Sequence, residues 1–559
     1  MRPALPTRRN SPRLLLELDL TRGVLESAPR GPLAALRGLR VPTLRTLVDA
    51  LDRAAEDDRV AGLVAHVGHR QPTLAQSGEL RSAVERFRAA GKPTACWSES
   101  YGEMGPGNIG YHLASAFDQV WLQPSGDVGL IGLAAEAVFV RDTLDKLGIE
   151  TQLGQRHEYK TAANMFLESS MTEAHREMVT RLVESATGTI VSDVARGRRL
   201  DESAVRAAVA EAPLSAEEAV THRLVDRVGY RDEVYADLRG RLGEVELRYV
   251  ERYGKGVAGI AQVGASVARR GKPAVAVVNA AGPIHLGRSG SSPLSGRSVG
   301  SDTLGAALRA AADDDAVRAV VLRVDSPGGS YVASDAIRRE VHALRRAGKP
   351  VVASMADVAA SGGYYIAMPA DWVVAGPGTL TGSIGVLAGK QVIRDALARI
   401  GVQRESVTES RYADMFSTQR PFDEHEWRRL EGWLDRVYAD FTAKAAEDRG
   451  MAADRLREVA RGRVWTGADA MEVGLVDQLG GLAEAITVAC ARAGVDRSEV
   501  DVRTLPHAGP VERLLPAANS DAPAAAVLGD GMPLLDRALA AVHLPRTGVL
   551  TMPVSWRFR

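Results

Sequence analysis

Three small-residue turns in the second half of the chain have the composition of a nucleophile site. Asp325-Ser326-Pro327-Gly328-Gly329 follows an apolar run, and paired glycines there let backbone N–H groups of Gly328 and Gly329 face outward, as an oxyanion hole requires. Ala360-Ser361-Gly362-Gly363-Tyr364 sits at a strand-to-helix turn, where a serine is either a nucleophile or a helix N-cap. Gly382-Ser383-Ile384-Gly385 offers a further hydroxyl in a tight turn. A serine nucleophile needs a base, and near these turns the only histidine is His342, on an Arg-rich helix. The alternative is a lysine kept neutral by burial. Lysine occurs only at positions 92, 146, 160, 255, 272, 349, 390 and 444, so each can be weighed. Lys92 and Lys349 fall in matching surface turns, Lys146 on a polar helix face, Lys255 and Lys272 in a joint, and Lys390 and Lys444 in helical, charge-rich surroundings. Lys160 remains, in His157-Glu158-Tyr159-Lys160-Thr161-Ala162.

The chain is written nearly twice. Ala347-Gly348-Lys349-Pro350 repeats Ala90-Gly91-Lys92-Pro93, shifted by 257 positions. Gly363-Tyr364, Asp371, Val373, Pro377, Gly382 and Gly385 match Gly110-Tyr111, Asp118, Val120, Pro124, Gly129 and Gly132 at a shift of 253, and Leu475-Val476-Asp477 matches Leu224-Val225-Asp226 at 251. A slowly drifting shift over most of the chain is the mark of tandem duplication. The two repeats differ where the chemistry would lie. Gly68-His69-Arg70-Gln71-Pro72 replaces the Ser-Pro-Gly-Gly turn, Asn108 stands for Ser361, Leu130 for Ser383, and no lysine occurs near Ser410 to Tyr412, opposite Lys160. A capping or turn role would be needed in both repeats, so the divergence favours function.

Short apolar runs alternate with helix-period stretches, which predicts an α/β fold with parallel strands. Leu16-Glu17-Leu18-Asp19-Leu20 reads as the opening strand. In the second repeat, Val275–Val278, Ala319–Val324, Val351–Ala353 and Trp372–Ala375 read as strands. Helices are expected near 303–312, on the face carrying Ile337, Val341 and Leu344, and over 424–447, with a counterpart near 172–196. The domains predicted are 1–255, supplying the lysine, and 270–505, supplying the serine, with a joint near 252–272. An Ala/Pro-rich tail follows over 506–559, holding one helix near 532–542.

A hydrophobic fraction of 45% and a charged fraction of 25% are those of a globular protein, and 559 residues exceed one core. With 70 basic and 70 acidic residues, no net charge favours nucleic acid. Cys96 and Cys490 have neither a disulfide nor a metal spacing, which predicts plain burial. Leu14-Leu15-Leu16 is interrupted by Glu17 and Asp19, too soon for a signal peptide or a spanning helix. The expectation is a cytoplasmic protein.

Together the four motifs resemble the long, duplicated form of the signal peptide peptidase A (protease IV) family, serine peptidases of Clp-protease/crotonase type. The residues carrying the resemblance are Asp325-Ser326-Pro327-Gly328-Gly329, Ala360-Ser361-Gly362-Gly363-Tyr364-Tyr365, Thr381-Gly382-Ser383-Ile384-Gly385 and Tyr159-Lys160-Thr161-Ala162, within roughly 40–490. The resemblance implies Ser361 as nucleophile, Lys160 as general base, Ser383 orienting the lysine, and an oxyanion hole from N–H groups of the Gly328-Gly329 turn and Gly362. It further implies cleavage of signal-peptide remnants or other unfolded apolar peptides, assembly into a bowl-shaped homo-oligomer (a tetramer), peripheral membrane contact, and no metal or organic cofactor.

Two other readings share this fold class. A crotonase-like acyl-CoA enzyme would use similar N–H pairs without needing Ser361 or Lys160. An inactive peptide-binding scaffold would need no chemistry at all. Gly296-Arg297-Ser298-Val299-Gly300 fits G-x-S-x-G literally, but it ends a polar Gly/Ser loop expected to be mobile instead of joining a strand to a helix.

Overall fold

The computed structural model describes residues 13–27, 41–253, 272–292, 296–505 and 550–552. Each repeat builds a parallel sheet, and the two sheets have the same strand order. In the first, the order across the sheet is Arg227–Val228, Gln119–Leu122, Thr94–Ser98, Val60–His66, Arg13–Asp19 and Val245–Tyr249. The second has eight strands, and the six that match run Gln478–Leu479, Trp372–Ala375, Val351–Ala360, Val317–Ser326, Ala274–Ala281 and Asp501–Leu505, with Leu380–Gly382 and Val464–Thr466 branching from Val351–Ala360. Every neighbouring pair in these two six-strand series is parallel, whereas Leu380–Gly382 and Val464–Thr466 pair antiparallel with each other. Parallel strands covered on both faces read as continuous apolar runs, and Val320, Val321, Leu322 and Val324 are all fully buried.

Helices cover both faces. The helix Tyr331–Arg346 buries Ile337, Val341 and Leu344 as its periodicity predicts, and Ser330 caps it through the Ala333 N–H. The expected 303–312 helix runs Ser301–Asp313, and the two long helices run Glu173–Arg198 and Glu424–Arg449. Lys92 and Lys349 do the same job in each repeat. Their Nζ atoms donate to Ala54 and Asp57 carbonyls at 2.6 and 2.6 Å, and to Ala311 and Asp314 carbonyls at 2.8 and 2.7 Å, closing helix C-termini. Cys96 lies buried in a strand and Cys490 in a helix.

The repeats are joined by more than the linking chain. Strand Glu150–Gln155 of the first pairs antiparallel with Leu387–Val392 of the second. This corrects the reading of Lys390 as helical. It is a buried strand residue whose Nζ donates to the Met415 carbonyl at 2.7 Å and lies 4.1 Å from the Phe422 ring centre. Buried charges also bridge the repeats: the Arg323 guanidinium reaches Glu26 at 2.7 Å and Glu79 at 2.6 Å. Residues 254–271, most of the expected joint, and the expected 532–542 helix lie outside the described residues. Among the described residues, no helix is long and apolar enough to cross a membrane.

Candidate active site

Strand pairing sets the site. The long strand Val351–Ala360 receives Val317–Ser326 on one side, and along its final residues it pairs with Leu380–Gly382, matching Ala360 with Gly382. Ser361 and Ser383 therefore leave neighbouring strand ends together. Both turn sharply: Ser361 has φ 56° and ψ −114°, and Ser383 has φ 50°. Positive φ in a non-glycine residue costs on the order of 1–3 kcal/mol and persists only where surroundings enforce it. Here the Ser361 N–H donates to the Gly382 carbonyl at 2.8 Å and the Ser383 N–H to the Arg463 carbonyl at 2.7 Å. The Ser361 side chain makes no N-cap bond to the helix Gly362–Ala367 that it precedes, so the capping explanation fails.

Lys160 enters from the first repeat, after strand Glu150–Gln155 has been tied to the second. Its Nζ lies 2.9 Å from Ser361 Oγ, 3.0 Å from Ser383 Oγ and 3.2 Å from the Ser383 carbonyl oxygen. A neutral amine has one lone pair and two N–H bonds, and these three partners match that inventory: the Ser361 hydroxyl donates, and the two Ser383 oxygens accept. The residue is wholly buried, and burial alone pulls its pKa down to about 7.

The backbone at Gly329 is placed just as tightly. At φ +151°, a Cβ on it would stand 2.1 Å from the Ile284 carbonyl oxygen, so no larger residue fits. A Cβ on Gly362 would stand 3.0 Å from Gly329 N, which places the start of the Gly362 helix against that amide. The two glycines of the turn are not equivalent, since the Gly328 N–H already donates to Ser326 Oγ at 3.2 Å.

The sequence reading missed what holds the lysine stem. A Cβ on Gly462 would stand 2.5 Å from Lys160 N and 2.6 Å from Lys160 Cβ, and one on Gly385 would stand 3.1 Å from Lys160 Cδ. Beside this slot, Tyr159 Oη donates to Glu177 at 2.7 Å, and Arg463 pairs with the same carboxylate at 2.8 Å while lying 4.8 Å from the Tyr159 ring centre. The Arg461-Gly462-Arg463 run is the available signal, a positive-φ glycine between two cations.

The first repeat has closed its equivalent turn. Asn108 Nδ2 donates to the Gly132 carbonyl at 2.7 Å and Asn108 Oδ1 accepts from the Gly132 N–H at 3.0 Å, while Leu130 is buried. Ser298 sits between two-residue strands instead of in a free loop, with Oγ 2.9 Å from His285 Nε2 and receiving the Gly290 N–H at 3.2 Å. It ties a hairpin and takes no part in the Lys160 cluster.

A duplicated α/β protein with a serine, a buried lysine and converging backbone amides has the parts of an acyl-transfer hydrolase. The profile of peptidase family S49 matches twice, at residues 86–245 and 343–496, and the chain belongs to that family of serine peptidases. It is 32% identical to Protease 4 of Salmonella typhi over 83% of this chain and 74% of that one. It is 31% identical to the chloroplastic serine protease SPPA of Arabidopsis thaliana over 82% of this chain and 66% of the relative. Among solved structures, ClpP1 from Listeria monocytogenes aligns at 14% identity, covering 38% of this chain and 94% of that one, with a TM-score of 0.25.

Proposed function

We propose that the chain is an endopeptidase working through a Ser361–Lys160 dyad, with signal-peptide remnants or other unfolded apolar peptides as substrates. The observation that carries this reading is the 2.9 Å approach of a fully buried lysine, with no carboxylate among its partners, to a serine held in a strained turn. Neutral Lys160 takes the Ser361 hydroxyl proton as Oγ attacks the peptide carbonyl. The Gly329 and Gly362 amides receive the developing oxyanion, and Ser383 keeps the amine aimed. The lysine ammonium then protonates the leaving amine, and water, activated by the same base, hydrolyses the acyl-enzyme. Support for apolar substrates comes from the cluster of Met178, Leu182, Leu380 and Val464 around Ala360, next to the nucleophile. A relative in Enterococcus faecium, 34% identical over 31% of this chain and 50% of its own, carries the name putative signal peptide peptidase SppA. The working form is proposed to be a homo-oligomer, a tetramer, able to contact membrane surfaces peripherally.

The test is hydrolysis of fluorogenic peptides ending in small or leucine residues. Wild type is expected to cleave, with Ser361→Ala and Lys160→Ala each reduced about 10⁴-fold or more while still folded. Cleavage that survives Ser361→Ala removes the proposed nucleophile.

A further inference from the structure

The backbone edge beside the nucleophile is already occupied. Leu550 and Thr551 form a short strand antiparallel to Gly328–Gly329, pairing Leu550 with Gly329 and Thr551 with Gly328, and the Met552 N–H donates to the Pro327 carbonyl at 2.9 Å. Hydrogen-bonded and non-bonded pairs alternate along an antiparallel ladder. With Met552 bonded to Pro327, Leu550–Gly329 is the next bonded pair, so the tail takes up the Gly329 N–H that an oxyanion would need. Met552 is 4% exposed and packs in the cluster formed by Met178, Leu182, Ala360, Leu380 and Val464. Met178 and Leu182 come from the first repeat's long helix, Ala360 directly precedes Ser361, and Leu380 and Val464 lie on the strands flanking Ser383. An extended backbone on the oxyanion edge with a large apolar side chain in the adjoining pocket is how β-augmentation holds a peptide.

We propose that residues 550–552 are a tethered occupant of the peptide groove: the chain blocks its own site with a strand that imitates substrate, and the pocket filled by Met552 selects long, unbranched or γ-branched apolar residues in incoming peptides. This rests on the peptidase reading for its consequence but on the pairing and burial for the docking. A tether presents its segment at an effective concentration in the millimolar range, enough for a weakly held strand to compete with dilute substrate.

Two full-length variants release the tail by different means. Met552→Asp places a carboxylate in the apolar pocket, and Met552→Pro keeps an apolar side chain but lacks the N–H bonded to Pro327. Met104→Asp, at a fully exposed position, is the control. Both tail variants are expected to raise kcat/KM about tenfold or more through a lower KM, with kcat unchanged. In parallel, a fluorescein-labelled peptide of residues 546–559 is titrated by anisotropy into chains carrying Ser361→Ala. It is expected to bind the Met552→Asp chain at least about tenfold more tightly than the chain with its native tail, because only the former groove is open. Equal hydrolysis by wild type and the tail variants, with equal or absent peptide binding, overturns the proposal and leaves the dyad standing. If no chain hydrolyses peptide, the dyad reading falls and anisotropy alone decides: preferential binding to the released chain upholds docking, and its absence overturns it. Should Met552→Asp fail to fold, Met552→Pro carries the same comparison.

Discussion

The role proposed for Lys160 as a base depends on surroundings that refuse it a charge. Its pKa of about 7, against 10.5 for the unperturbed side chain, is caused by burial alone, so the lysine is neutral over the alkaline half of the ordinary range. Under the proposed mechanism kcat/KM is expected to rise with pH through about 7 and level off above it, read from the pH profile of peptide hydrolysis. Stability moves with the same proton. Below pH 7 both folded and unfolded lysine are charged and the folded state bears the whole cost of burial. Between 7 and 10.5 only the unfolded chain binds the proton, so stability rises by up to about 1.4 kcal/mol per pH unit. Lys160→Met is therefore expected to abolish hydrolysis while raising the melting temperature, with the gain largest below pH 7 and fading toward 10.5. A melting temperature that falls equally at every pH would show that the lysine is held as a paired cation. Position 160 could be singled out from sequence because lysine is so scarce that each one could be weighed, and the structure places Lys160 Nζ 2.9 Å from Ser361 Oγ and 3.0 Å from Ser383 Oγ. Lys390 reads as helical in the sequence, whereas it lies in a strand and donates to the Met415 carbonyl at 2.7 Å.

The geometry of the candidate site depends on elements that no local pattern announces. The turns around Ser361 and Ser383 were legible because one repeat keeps hydroxyls where the other has Asn108 and Leu130, and a duplicated chain supplies its own comparison. The pairing of Glu150–Gln155 with Leu387–Val392, which brings Lys160 across, joins segments more than 200 positions apart and leaves no trace in either. The same holds for Gly462, whose φ of +79° and contact with the lysine backbone become visible only in three dimensions. Gly462→Ala would force a methyl group to within 2.5 Å of Lys160 N in a backbone conformation alanine resists. The expected outcome is a loss of kcat of about 10²-fold or more, from displacement of the amine by an ångström or less, with circular dichroism unchanged. Full activity in a folded Gly462→Ala chain would mean that the slot does not position the lysine.

At the scale of the whole molecule, duplication leaves two segments without the pairing that their counterparts make. Leu387–Val392 of the second repeat pairs with Glu150–Gln155 of the first, but the counterparts of these strands, near 134–139 and 401–406, belong to no strand among the described residues. These neglected segments and their flanks carry large exposed apolar side chains: Val138 is 63% exposed, Ile400 73% and Val407 fully so. Unpaired edges rich in apolar residues invite strand addition. The internal junction shows what fits there, because the same two kinds of segment already pair within the chain. If 134–139 of one molecule pairs with 401–406 of the next, each contact reproduces the internal one, a head-to-tail arrangement that closes into a ring when the rotation permits. Such external junctions would be sterile, offering Asn108 and the exposed Arg411 where the internal ones offer Ser361 and Lys160. Each chain then contributes one dyad, complete without its neighbour. Val138→Asp combined with Val407→Asp is expected to reduce the assembly to a 59.6 kDa monomer by light scattering, while hydrolysis of a short peptide per chain stays within about twofold of wild type. A wild-type chain that is monomeric at micromolar concentration, or an assembly untouched by both aspartates, would exclude this edge. Loss of short-peptide hydrolysis on dissociation would show instead that the internal junction is organised only within the ring.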